Sequence, residues 1–93
     1  MRTLSDLRRL RSQGKAPVLP VFVTDNPIFA ANMASIGAFV VRPHDADWRP
    51  LSGLEVILCF RQPDDFRDLA MSIRAARPRR LRSLHSDGLS VIL

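Results

Sequence analysis

Tyrosine is absent from this 93-residue sequence, which also holds one tryptophan, one cysteine and only four glycines. Each scarcity removes a class of protein. A lone thiol, Cys59, forms no internal disulfide, and inside the apolar run LEVILCF it is expected to be an inert, buried hydrophobe rather than a nucleophile. No apolar run approaches the ~20 residues that span a bilayer, so no membrane partner is expected. The opening MRTLSDLRRLRSQ has arginines but no apolar stretch of the kind a secretory signal needs, which leads to the expectation of a cytoplasmic protein. Neither G-x-G-x-x-G nor a Walker lysine occurs, so no nucleotide cofactor is expected. No serine, histidine and acid are spaced so as to define a nucleophile. With no tyrosine, and with Trp48 and the five phenylalanines not alternating with basic residues, base stacking is not supported.

A chain this short is read as one α/β domain over 1–93, with a basic N-terminal helix in 1–15 and a sheet core in 16–93. A domain of this size hides only ~60–65% of the surface its unfolded chain exposes, so it gains from association. The net charge is +5, unevenly spread. Residues 1–15 hold five basic and one acidic side chain, residues 74–93 five and one, and residues 16–73 four and seven. Both ends are therefore positive and the middle is negative. Within that middle, TDNPIFAANMASIGAFVV runs for eighteen residues with one charge, Asp25.

Local signals place the elements. Thr3 with Asp6 resembles a capping box, and the Leu4, Leu7, Leu10 stripe stops at Gly14, predicting a helix from about Leu4 to Gln13. Pro20 fits only at the start of a strand, so the β-branched VFVT is the first strand. Asn26 is a good N-cap and Pro27 a good first helical residue, giving a second helix to Ile36 with Gly37 as its left-handed cap. AFVVR and LEVILCF read as strands covered on both faces, separated by the linker-like stretch Pro43 to Gly53. Gln62 and Pro63 begin a helix whose Phe66, Leu69, Ala70, Ile73 and Ala76 share one face, and Pro78 ends it. RRLRSL and LSVIL are two further strands, with HSDG as the turn between them. Strand, helix, strand repeated twice predicts a small Rossmann-like, mostly parallel sheet of order 2-1-3-4 with an antiparallel C-terminal edge.

That order sorts the charges. The carboxyl ends of the strands, where open α/β sheets meet ligands, receive Asp25, His44, Asp45, Asp47, Asp64, Asp65, His85 and Asp87. Asp25, Asp64 and Asp65 are the candidate ligands for Mg²⁺, although capping of helix N-termini explains the same residues without a metal. His44 and His85 fall on loops ~14 Å apart, too far to share one ion. The opposite edge receives Arg74, Arg77, Arg79, Arg80, Arg82 and Lys15, a candidate contact for nucleic-acid phosphates, with Arg2, Arg8, Arg9 and Arg11 as additions.

An acid-ended strand, a helix, a short strand, then an apolar strand running into CFRQPDDFRDLA and an AARPRRLRSL passage is similar to the Toprim domain of primases and topoisomerases. The resemblance covers about residues 18–85. It implies a catalytic glutamate position at Thr24 or Asp25 and an Asp-x-Asp position near Arg61 and Pro63, where only the displaced Asp64 and Asp65 remain. It therefore implies a member with an altered metal motif.

Three readings result. The first is a non-catalytic module that associates with nucleic acid, or with a nucleic-acid-handling complex, through the arginine edge. The second is a metal-dependent phosphotransfer or nuclease-type enzyme. The third is a protein-interaction factor, an inhibitor or adaptor, acting through the uncharged second helix. A helix without a charged face must be covered, either by the chain's own first helix or by a partner. The simplest partner arrangement is a symmetric homodimer through Phe29, Asn32 and Met33.

Overall fold

A computed structural model of the protein describes residues 3–43, 47–60, 67–84 and 90–92. The elements in chain order are helix α1 (Leu4–Ser12), strand β1 (Val21–Thr24), helix α2 (Pro27–Ser35), strand β2 (Val40–Val41), a 3-10 turn (Arg49–Leu51), strand β3 (Glu55–Cys59), helix α3 (Arg67–Ala75), and strands β4 (Arg80–Leu84) and β5 (Ser90–Ile92). The sheet order is β2-β1-β3-β4-β5, parallel throughout except for the antiparallel β4–β5 pair. This is the expected order. The expected helix start at Gln62 to Phe66 and the expected turn at HSDG fall outside the described residues.

Local chemistry starts and stops the helices. Thr3 and Asp6 close a reciprocal capping box at α1, and the Asn26 side chain accepts from the amides of Ile28 and Phe29 at α2. Both helices end in the same way. Gly14 (φ 74°) and Gly37 (φ 86°) take the left-handed position, with Gly14 N–H donating to Arg11 O and Lys15 N–H to Leu10 O, and with Gly37 N–H donating to Ala34 O and Ala38 N–H to Met33 O.

The order also fixes the layers. From the central pair, β1 crosses to β2 on one side and β3 crosses to β4 on the other, so two right-handed crossovers put α2 and α3 on opposite faces. On the α3 face, Val21, Val23, Val41, Val56, Leu58 and Leu81 pack with Ala70 and Ile73. Leu4 and Leu7 of α1 join this same cluster. The first helix therefore does not cover α2, because it fills the space on the other side of the sheet.

Two further readings are corrected. The stretch Pro43 to Gly53 is no mere linker: Trp48, Pro50 and Leu51 are buried, and α1 packs on the 3-10 turn. Its polar residues hid two core side chains, Trp48 and Leu51. Strand β3 is not covered on both faces either, since Val56 and Leu58 are buried while Glu55, Ile57 and Cys59 are half-exposed. The reason is that α2 packs on β1 and β2 and leaves the β3–β4 half of its face without a helix among the described residues.

Candidate nucleic-acid interface

The passage from α3 to β4 builds the basic end of the molecule. Three backbone bonds hold it beneath the sheet: Gly53 N–H donates to Arg77 O at 3.0 Å, and the amides of Arg79 and Arg80 donate to Leu54 O at 2.8 and 3.5 Å. The C-terminus of α1 arrives at the same end, where the Arg11 guanidinium donates to Ser52 O at 2.8 Å. A groove of about 230 Å³ runs between Pro17, Val18 and Pro20 on one side and Gly53, Glu55 and Arg79 on the other. Lys15 leads directly into it.

Arg77 occupies an uncommon backbone conformation. At φ 59° it is the only non-glycine with positive φ among the described residues. It stands where Gly14 and Gly37 stand in the other two helices, with its amide donating to Arg74 O at 3.0 Å. The next residue, Pro78, has no N–H for the second bond of that motif and disfavours a right-handed helical residue before it. A residue with a Cβ thus sits in a position that glycine fills with less strain.

The six cations expected here divide into two groups. Arg74, Arg77, Arg80 and Lys15 are exposed, with no carboxylate within ion-pair distance among the described residues. Arg79 and Arg82 are engaged by Glu55, Arg79 at 3.8 Å and Arg82 in a close pair. Arg82 is half-buried, and its Nε makes no hydrogen bond among the described residues. Strand register explains how Arg82 comes within reach of Glu55. Glu55 pairs with Arg80 and Ile57 with Arg82, so Arg82 projects from the α2 face and reaches diagonally to the carboxylate. Glu55 was missed in the sequence because a single acid in an apolar strand gains its role only once the register is known.

The opposite end carries both signs. Asp47 binds Arg49 at 2.9 Å and Arg8 at 3.5 Å, and the Arg49 contacts hold its carboxyl down to about 2. Arg8 therefore serves the loop after β2 and not the basic end. A cleft of about 820 Å³ opens there at the carboxyl ends of β1 and β2, lined by Thr24, Asp25, Asn26, Arg42, Arg8 and Asp47. The expected acidic edge is thus balanced by arginines among the described residues. Asp25 is exposed, and no group of three metal-ligating side chains occurs among the described residues. Asp64 and Asp65, the other candidate ligands, lie outside them, as do His44, Asp45, His85, Asp87 and Arg2.

Cys59 is half-buried, and burial pushes its thiol up from the ordinary range despite a hydrogen bond with Thr24. On α2, Asn32 is exposed while Phe29 and Met33 are half-buried, the Phe29 ring meeting Phe22 edge-on with centroids 5.7 Å apart. No helix among the described residues is long and apolar enough to cross a membrane. Against models of protein families, curated proteins and solved structures, the chain matches none.

Proposed function

We propose that this chain is a non-catalytic cytoplasmic module that contacts nucleic acid, or a nucleic-acid-handling complex, through backbone phosphates at the α3–β4 passage. The observation that carries the reading is the set of exposed cations Arg74, Arg77, Arg80 and Lys15 at one end of the sheet, unpaired among the described residues. Among the described residues the carboxylate at this end, Glu55, is already taken by Arg79 and Arg82. The left-handed Arg77 adds support. Backbone strain at a non-glycine persists only where the surroundings impose it, and it is common at binding sites.

Guanidinium groups on a helix end and a strand start match phosphate oxygens, and each phosphate neutralised releases counterions. With no aromatic residue between the cations, the contact reads charge and spacing rather than base identity. The Toprim-like layout suits the same setting, because its displaced acids leave a scaffold without the family's metal motif.

The test is titration of the protein into labelled single- and double-stranded DNA and RNA across a salt series, with and without Mg²⁺. Binding should fall linearly in log K against log salt, and Arg74→Ala with Arg80→Ala should flatten that slope. No binding at low salt sinks the reading. Cleavage seen only with Mg²⁺ replaces it with the enzyme.

A further inference from the structure

Helix α2 carries no charge from Pro27 to Ile36 and has no buried residue, yet nothing among the described residues covers its outer side. Its inward stripe is the half-buried set Phe29, Ala30, Met33 and Ala34, and its outward stripe includes Ile28, Asn32 and Ile36. Ile28 is 72% exposed and Ile36 58%. The spacing of these three residues is i, i+4 and i+8, so they fall in one row along the helix with the amide at its centre.

We propose that this row docks on a second copy of the same chain, α2 against α2 in antiparallel orientation about a two-fold axis through Asn32. The row reads the same in both directions. An antiparallel copy sets Ile28 against the partner's Ile36 at each end and brings the two Asn32 side chains together in the middle. A carboxamide has both donors and acceptors, so it pairs with its own image. Charge selects the partner as well. The molecule is +5, and both other helices show charge to solvent, Arg8 and Arg9 on α1 and Arg67, Asp68 and Arg74 on α3. Two such molecules repel on most approaches, and α2 is the helix on which they meet without facing like charges. A nine-residue helix is ~13 Å long and ~10 Å across, a footprint well below the ~800 Å² per partner of a standard interface. The dimer is therefore weak, and salt strengthens it by screening the repulsion.

Sedimentation equilibrium from about 1 µM to 1 mM tests this. The mass should rise from 10.5 kDa toward twice that value with concentration, and further at higher salt, the opposite of the salt effect on nucleic-acid binding. Ile28→Glu should hold it at 10.5 kDa throughout. That variant should stay folded, because α2 has no acid in its first turn and a carboxylate there suits the helix dipole. Asn32→Cys in a Cys59→Ala background should cross-link under mild oxidation, whereas Met71→Cys on the exposed side of α3 in the same background should not. A monomer at the highest concentration, an Ile28→Glu dimer, or equal cross-linking at both sites overturns the proposal.

Discussion

Replacing Arg77 by glycine should stabilise the fold and weaken binding in the same protein. The left-handed conformation costs an L-residue ~1–2 kcal/mol, and glycine removes that strain. Glycine also gives the unfolded chain more freedom, which returns ~0.5–1 kcal/mol. The net gain is ~0.5–1 kcal/mol. For a chain of 93 residues that raises the melting temperature by ~2–5 °C. The backbone bonds at this position, to Arg74 O and from Gly53, need no side chain and survive the change. Loss of one guanidinium from a phosphate contact lowers the slope of log K against log salt by ~0.7–0.9. Arg77→Ala separates the two effects, since it loses the charge but keeps the strain, and should melt close to the parent. Calorimetry and a fluorescence-anisotropy salt series read both quantities. A glycine variant that melts below the parent refutes the strain argument. An unchanged salt slope refutes the role of Arg77 in binding.

Leu7→Ala should cost about 3 kcal/mol or more, measured by urea denaturation, because this side chain is fully buried under the sheet and α1 is part of the core. A loss below about 1 kcal/mol would make α1 an appendage. Asp47, held down to about 2 by Arg49, adds stability that is present above its ordinary value near 4 and is lost as pH falls toward 2. NMR titration of its carboxyl should give that low midpoint, and Asp47→Asn should remove this part of the acid sensitivity. Cys59, with its thiol pushed up by burial, should react with a disulfide reagent at pH 8 many-fold more slowly in the native state than in guanidinium. Equal rates would contradict the packing around β3.

Much of the fold was legible because its signals are local. Asn26 before Pro27, Gly14 and Gly37 after their helices, and Pro20 before VFVT act within one turn of the backbone, so the sequence places them without knowing the fold. Trp48 and Leu51 were not legible. They sit in a loop among polar residues, and only the docking of α1 onto the 3-10 turn makes them core. The same holds for the basic end. Its arginines could be counted, but that Glu55 engages Arg79 and Arg82, and not Arg80 opposite it in the register, is decided only by the folded structure.

By itself the sequence determined the elements, their order in the sheet and the gathering of cations around Arg77, since hydrophobic period, capping and crossover handedness act along the chain. Only the tertiary structure decided which face of the sheet α1 covers. Leu4 and Leu7 match an apolar surface on either side, and it is the cluster of Val23, Val41, Trp48 and Leu51 that draws them opposite α2. That choice leaves Ile28, Asn32 and Ile36 facing water.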